Sequence, residues 1–438
     1  MFNFFRMGRI FVGMIGGGTV GGGVYQALCN NGGLITSRTG VEIILKQIAV
    51  KAFDEPRPVS IPESLMTTDW HNIINDPEIQ IVVELMGGTG LAKEIILEAL
   101  SRGKSVVTAN KALLAAYGEE IFSAAEKNQV GLYYEASVAG GIPILRSIKE
   151  AFVCNRFLRI CGIVNGTCNY ILTQMNENQS DFETVLKEAQ TKGYAEANAS
   201  LDVDGHDAHH KITLLASLAL NSWIKPDSIY IEGIRSVTLA DLELSNKLGY
   251  SLKLLGSIEN RGQDKSSAKI QASVSPTLIP LNHVLAKVNG VFNAVSVLGD
   301  VVGETFFYGR GAGQDATASA VVGDIVDAAI NTSLKTPHRL PPMWLGAKVD
   351  LVAIKDITSR FYLRISGTSE TAKDFQAILN KNNICVEQSK NLNSEGTIHF
   401  SVITQTLSRA KISLLLQEIN KLSGLLNKPV AYPVEDFN

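Results

Sequence analysis

Residues 10–15 form an unbroken apolar run that stops at Gly16-Gly17-Gly18-Thr19-Val20-Gly21, after which Val24-Tyr25-Gln26-Ala27-Leu28 begins a helical pattern. The order predicts a strand, a glycine turn and a helix. Strand-like runs at 42–50, 79–85 and 105–108 follow, with helical patterns at 91–102 and 111–127. Such alternation predicts a parallel, doubly wound α/β sheet of the Rossmann type in the first third of the chain. Farther on, strands at 158–164 and 269–274 mix with helices. One of these, 206–220, sets Ile212, Leu215, Ala216 and Ala219 on one face. Prolines and basic residues around 334–342 mark a linker. Past them, runs at 362–366, 384–390, 398–403 and 430–433, with helical stretches at 372–380 and 409–421, predict strand-helix-strand-strand-helix-strand.

The glycine turn carries the first chemistry. Gly16 permits the tight turn, Gly18 lets backbone approach a pyrophosphate, and Gly21 lets the helix pack on the strand. The helix start, at Thr19 and Val20, offers N–H donors and partial positive charge to an anion. The second strand ends in Ala49-Val50-Lys51-Ala52, with Arg57 shortly after. A basic group there favours the 2′-phosphate of NADP, whereas Asp54 keeps NAD open and Lys51 also reads as a solvated surface lysine. A second glycine-rich stretch, Gly309-Arg310-Gly311-Ala312-Gly313, precedes a helix at 315–330. Gly311 there reads as a further backbone anion contact or as a helix-packing turn.

Bulk properties narrow the class. A chain of 438 residues predicts two or three domains, and 45% hydrophobic with 19% charged residues describes a globular protein. A formal charge of −3 gives no general attraction to nucleic acid or anionic membrane. The first nine residues are apolar with two arginines, but they run into the glycine stretch without a small-residue cleavage site and read as strand instead of signal peptide. No run of 18 uninterrupted apolar residues predicts a membrane span. Five cysteines without a CxxC pair predict isolated buried thiols in a reducing, cytoplasmic setting.

Asp207 and Lys211 are four residues apart on the helix at 206–220, so their side chains share a face. An exposed ion pair is the plain alternative. A carboxylate beside an ammonium favours the charged lysine, which suits a proton donor and opposes a proton acceptor. His206, His209 and His210 raise zinc, yet the sequence is HDAHH and not HExxH. Cys161 and Cys168 raise an aldehyde dehydrogenase with a thiolate nucleophile, with no partner base nearby in sequence.

Eight stretches occur in a fixed order: GGGTVGGG from Gly16, VVELMGGT from Val82, VVTANK from Val106, EASVAGGIP from Glu135, VNGTCNY from Val164, GYAE from Gly193, LDVDGHDAHHK from Leu201 and YGRGAGQDATASAVVGDIVD from Tyr308. Together they resemble the homoserine dehydrogenase family along nearly the whole chain. That resemblance implies NAD(P)-dependent interconversion of L-homoserine and L-aspartate 4-semialdehyde, in threonine and methionine biosynthesis. It implies that Lys211 is the general acid and base, that Asp207 binds substrate, and that Glu196 receives the substrate ammonium. Lys111 matches a second functional lysine near nicotinamide and substrate. Glu135, Val138, Gly140 and Ile142 match a monovalent cation site, for Na⁺, with one side-chain and three carbonyl ligands.

The expected layout is a Rossmann domain at 1–140 completed by 305–333, an α+β substrate and dimerisation domain at 141–304, a linker at 334–349 and a ferredoxin-like ACT regulatory domain at 350–438. The resemblance further implies a threonine effector and a homodimer or homotetramer, and no aspartate-kinase segment is present. Three positions depart from the family pattern: Ser366-Gly367-Thr368-Ser369-Glu370 replaces an Asp-x-Pro-Gly turn, Glu196 is followed by Ala197-Asn198 without proline, and Gly90 replaces a frequent Glu. The competing readings are a catalytically silent cofactor and amino-acid sensor, or another NADP-dependent aldehyde or alcohol oxidoreductase. The joint presence of Lys111, Glu196, Asp207 and Lys211 argues against the sensor.

Overall fold

The computed structural model describes residues 8–262, 269–339, 349, 351–394 and 396–437. Residues 1–7 of the N-terminal apolar stretch and 340–348 of the expected linker lie outside the described residues. Two compact units emerge, one from Met1–Asn155, Thr213–Pro226 and Phe307–Val349, the other from Arg156–Ile212, Asp227–Phe306 and Asp350–Asn438.

In chain order the first elements are β1 (Gly8–Ile15), α1 (Thr19–Thr39), β2 (Val41–Ala49), β3 (Met66–Thr67), α2 (His71–Ile74), β4 (Ile79–Glu84), α3 (Leu91–Ser101), β5 (Ser105–Thr108), α4 (Lys111–Lys127), β6 (Leu132–Tyr133) and α5 (Ile144–Arg146). Next come β7 (Phe157–Ile163), α6 (Gly166–Asn178), α7 (Phe182–Thr191), α8 (Ser200–Val203), α9 (His206–Ala219), β8 (Tyr230–Ile231), α10 (Leu239–Lys247), β9 (Tyr250–Asn260), β10 (Ile270–Pro280), β11 (Phe292–Gly299), β12 (Gly303–Arg310) and α11 (Gln314–Ser333). The last are β13 (Thr358–Gly367), α12 (Ser369–Lys381), β14 (Val386–Ser394), β15 (Thr397–Thr404), β16 (Leu407–Ser408), α13 (Arg409–Ile419) and β17 (Asn427–Val434).

The first unit holds a parallel sheet in the order β3-β2-β1-β4-β5-β6. Its strand order reverses between β1 and β4, which opens a crevice at the carboxyl edge. β3 and α2 were not expected; a two-residue strand has no periodicity to detect. Val12, Met14, Ile81 and Val83 are fully buried, as a sheet covered on both faces requires. The returning helix α11 packs on α1, where a Cβ on Gly23 would stand 2.8 Å from Gln314 Cγ and 3.0 Å from Ala318 Cβ. Glycine is required at that close approach.

The second unit holds a mixed sheet in the order β12-β11-β7-β9-β10-β17-β13-β15-β14 among the described residues. β10 extends to Pro280, past the run expected to stop at 274, because β9 pairs with it along its full length. The C-terminal segment has the order β17-β13-β15-β14 with antiparallel neighbours throughout. This is the ferredoxin-like arrangement of a strand-helix-strand-strand-helix-strand chain. Phe361, Leu363 and Ile365 on one face of β13 join Phe375 and Leu379 of α12 and Ile412 and Leu415 of α13 in one core. β17 pairs parallel to β10 at Leu278–Val434, so this segment continues the sheet of the second unit.

The opposite face of β13 meets α10. There Arg364 forms a forked pair with Asp241, Nε to Oδ1 at 2.7 Å and Nη2 to Oδ2 at 3.0 Å, and Tyr362 Oη donates to Oδ1 at 3.1 Å. Both charged side chains are almost fully buried. Asp241 Oδ2 also accepts from the Thr238 backbone and hydroxyl, closing the capping box of α10. Cysteine burial is more limited than expected: Cys161 and Cys168 are buried, whereas Cys29, Cys154 and Cys385 are exposed, and all five are free thiols.

Removing one partner of a buried ion pair leaves an uncompensated charge, which costs about 3–5 kcal/mol. Arg364→Met is therefore expected to lower unfolding stability by about that amount, with Arg364→Met/Asp241→Asn recovering part of it. Urea titration followed by tyrosine fluorescence reads this, and a loss below about 1 kcal/mol would show that the pair does not hold the segment.

Candidate active site

The glycine turn meets the steric demand read from its sequence. Gly16 has φ +111°, and a Cβ there would lie 2.6 Å from Leu85 O. A Cβ on Gly21 would lie 2.0 Å from Gly16 O, so the α1 start sits directly on the turn. Gly18, the N-cap of α1, faces open space. This leaves exposed Thr19 and half-buried Val20 beginning a 21-residue helix beside a glycine with no neighbouring side chain, which suits a pyrophosphate. Lys51 is exposed past β2. Arg57 folds under the same loop, donating to the carbonyls of Ala52, Phe53 (2.8 Å) and Glu55 (2.9 Å).

At the carboxyl edge of β4 and β5, a buried carboxylate braces two loops. Glu84 accepts from Met86 N (2.9 Å), Gly87 N (3.1 Å) and Thr108 Oγ1 (2.7 Å). Asn110 then donates from Nδ2 to Gly88 O at 2.7 Å and caps α4 by accepting from Leu113 N at 3.1 Å. Lys111 is the first residue of that helix and half-buried, so the brace fixes where its side chain starts.

The stretch from Glu135 to Ile142 meets the second glycine-rich stretch. Gly141 N donates to Arg310 O at 3.0 Å, and a Cβ on Gly140 would stand 2.5 Å from Gly311 O. Glu135 is buried, and its two oxygens accept from Leu145 N (3.0 Å) and Arg146 N (2.7 Å). Burial pushes its carboxyl up to about 7. Buried Asp324, which accepts from Glu135 N at 2.8 Å, is also pushed well up by burial and by Glu135. Glu135 and the carbonyls of Val138 and Gly140 supply oxygen donors only, the kind a hard monovalent cation takes once the acid is charged. The Ile142 carbonyl accepts from Ile144 N at 2.8 Å and retains a second lone pair.

In the second unit, four polar groups converge where β7 ends. Lys211 Nζ donates to Asp207 Oδ2 and to Val164 O, both at 2.7 Å. The side chains of Lys211 and Asp207 are only 9% and 8% exposed, which excludes a solvent-washed helix pair. Asn165 Nδ2 donates to Asp207 Oδ2 (2.8 Å) and Asp202 Oδ1 (2.7 Å), while its Oδ1 caps α6 by accepting from Cys168 N at 2.8 Å. An ammonium has three N–H groups, and two are committed here; the third can meet a substrate oxygen. Glu196 is exposed in the loop before α8, its carbonyl accepting from Gln190 Nε2 at 3.2 Å, and is outside this hydrogen-bonded group.

The two alternatives raised by the sequence find no support. Burial pushes the thiols of Cys161 and Cys168 well up, which makes inert sulfur and not a thiolate nucleophile. His206 is exposed and His209 buried, and no ligating cluster includes them among the described residues. Asn165, Asp202 and Glu84 escaped the sequence reading. The available signal was an Asn directly before a helix start, and acids inside the recognised stretches.

A profile described as homoserine dehydrogenase, NAD binding domain, matches residues 16–135, and one described as homoserine dehydrogenase matches 143–326. The homoserine dehydrogenase of Neisseria gonorrhoeae is 40% identical over 433 residues, covering 97% of this chain and 98% of that protein. The crystal structure of a homoserine dehydrogenase from Thiobacillus denitrificans superposes with TM-score 0.90 at 37% identity, covering 98% of this chain and 99% of the other. A hyperthermophilic archaeal homoserine dehydrogenase in complex with NADPH gives TM-score 0.60 at 25% identity, covering 75% and 99%.

Asn165→Asp keeps the cap of α6 but replaces the donor between Asp202 and Asp207 by a third carboxylate. Stability is expected to fall by about 2 kcal/mol at pH 8, and the deficit should shrink toward pH 5 as carboxylates protonate. Urea midpoints at the two pH values test it; an equal deficit at both would refute the donor role.

Proposed function

The chain belongs to the homoserine dehydrogenase family, NAD(P)-dependent oxidoreductases of amino-acid biosynthesis, and from that premise we propose that Lys211, held by Asp207, is its proton-transfer residue. The reaction interconverts L-homoserine and L-aspartate 4-semialdehyde, and a bound nicotinamide supplies or accepts the hydride. The observation carrying the assignment is a buried ammonium with one N–H left over after Asp207 and the Val164 carbonyl. In aldehyde reduction Lys211 gives that proton to the carbonyl oxygen as it becomes an alcohol. In oxidation the neutral amine takes it back. Asp207 fixes the lysine and, with Glu196 from the adjacent loop, offers carboxylate to the substrate ammonium.

Gly16, Gly18, Thr19, Val20, Gly21 and Gly311 are assigned to the dinucleotide, and Lys111 to cofactor and substrate at the carboxyl edge of the sheet. Lys51 at the end of β2 favours NADP, supported by Arg57 beneath the same loop. Glu135 with the carbonyls of Val138, Gly140 and Ile142 would hold Na⁺ as a structural ion. The ferredoxin-like segment from β13 to β17 is assigned an ACT-like regulatory role with threonine as effector. A homodimer or homotetramer in the cytoplasm completes the reading. No described helix is long and apolar enough to cross a membrane.

Initial rates with L-homoserine at alkaline pH, taken with NAD and NADP separately, test the catalytic assignment. Lys211→Ala is expected to lose about 10²–10⁴-fold in kcat, and faster turnover with NADP is expected from Lys51. A folded Lys211→Ala variant with near-native kcat would remove the lysine from proton transfer.

The cation assignment predicts a pH dependence. An acid raised to about 7 in the folded state costs stability as pH rises from its unfolded value through 7, because the folded protein resists ionising it. A cation offsets that cost only once Glu135 is charged. The rise in Tm on replacing choline chloride by NaCl should therefore be larger at pH 8 than at pH 6, and vanish in Glu135→Gln. A sodium effect independent of pH and of that substitution would place the ion elsewhere.

A further inference from the structure

A cavity of about 460 Å³ in the second unit is lined by residues of β7, β9, β13 and β17 and of the tail after β17. Its walls carry three arginines, Arg159, Arg261 and Arg360, and three acids, Glu259, Glu435 and Asp436. Two of the arginines are committed: Arg261 Nε donates to Glu259 at 2.5 Å, and Arg360 Nε donates to Asp436 Oδ2 at 3.0 Å. Arg159 differs. Its Nη1 is 3.9 Å from Glu435 Oε1, beyond hydrogen-bond reach, and its buried Nε has no hydrogen-bond partner. The guanidinium stacks over Phe437 at 4.6 Å, which holds the fork in place without satisfying it.

We propose that this cavity is a binding site for a small zwitterionic α-amino acid, with the ligand carboxylate on Arg159 and its ammonium on the Glu259–Glu435 pair. The Arg159 fork makes no hydrogen bond at Nε and only a 3.9 Å approach to Glu435 at Nη1, and a carboxylate is the partner whose two oxygens match such a fork. Three arginines and three acids balance in these walls, which suits a ligand with one charge of each sign, an ammonium two or three bonds from its carboxylate, better than a dianion such as phosphate. Glu259 and Glu435 are both buried, and burial together with the Glu259 charge pushes the Glu435 carboxyl well up. Cys161 Sγ stands with these two carboxylates in a group whose ligand atoms lie within 4.8 Å of one another. A metal ion there would face two guanidiniums, so the amino acid is favoured.

The site is distinct from the Lys211 group. Arg159 pairs in register with Glu259, and Cys161 with Ser257, on one face of the sheet. Gly162 and Gly256 belong to the other face, where a Cβ on Gly256 would strike Ile212 of α9 at 2.3 Å. Lys211 sits on α9 at the far end of β7, beyond Ile163. Because Ser359, Arg360 and Glu435 come from the ferredoxin-like segment or its tail, an occupant would tie that segment to β7 and β9. The cavity also lies at the start of β13, whereas the turn before α12, at residues 366–369, lies at its other end.

The test is calorimetric titration of the full chain, without cofactor or L-homoserine, using glycine, L-alanine, L-serine and L-threonine as probes and acetate and methylammonium as half-ligands. At least one amino acid is expected to bind about 10-fold or more tightly than either half-ligand. Arg159→Lys, which retains the charge but loses the fork, should weaken that binding about 10-fold and leave kcat with L-homoserine intact. Glu435→Gln should narrow the preference for amino acid over acetate. Lys211→Ala should not change the binding, which separates this site from the catalytic one. Absence of saturable amino-acid binding, acetate binding as tight as the amino acids, or affinities equal in wild type and both cavity variants would overturn the proposal.

Discussion

A lysine ammonium buried beside a carboxylate is the constraint around which the second unit is organised. Neither charge can leave water without hydrogen-bonding partners that replace most of its hydration. Lys211 meets that demand with Asp207 one helical turn away and with the Val164 carbonyl just past the end of β7. Asp207 then needs a second donor, and Asn165 supplies it while capping α6 and holding Asp202 of α8. One ion pair thereby fixes the relative positions of a strand end and three helix starts. The N–H left over is a consequence of counting, since backbone and carboxylate can satisfy only two of three.

The first unit solves a different problem, the close approach of backbone to backbone. Gly16 against Leu85, Gly21 against Gly16, Gly23 against α11 and Gly140 against Gly311 are four places where a single methyl would collide. Their joint effect is to bring the α1 N-terminus, the loop after β4 and the returning stretch at 309–313 together as polar, side-chain-poor surfaces. Buried carboxylates then lock the loops. Glu84 spans those after β4 and β5, and Glu135 accepts the first free amides of α5. A carboxylate serves here because one group can accept from two or three amides at once.

The C-terminal segment shows how a small fold is joined to a larger one. One face of β13 belongs to a core shared with α12 and α13, and the alternate residues Tyr362 and Arg364 point to α10. The period of two along a strand makes that division unavoidable. The sheet edge that an isolated segment would expose is covered at β17 by β10, which removes a site of unwanted strand pairing.

The doubly wound sheet, its glycine turn, the strand-helix order of the C-terminal segment and the shared helix face of Asp207 and Lys211 were all legible in the sequence. Each is encoded locally, in periodicities of 2 and 3.6 or in residues whose backbone demands are their own. The family likewise followed from eight ordered stretches. Tertiary structure alone decided that the Asp207–Lys211 pair is buried, that Asn165 and Asp202 join it, and that three of five cysteines lie at the surface. It also decided that β10 takes β17 as a neighbour and that Arg159 faces a cavity with its Nε unpartnered. These depend on partners far apart in the chain, 47 residues for Lys211 and Val164 and 123 for Asp241 and Arg364. Burial and ion pairing are properties of what surrounds a residue, and those surroundings exist only once the chain has closed on itself.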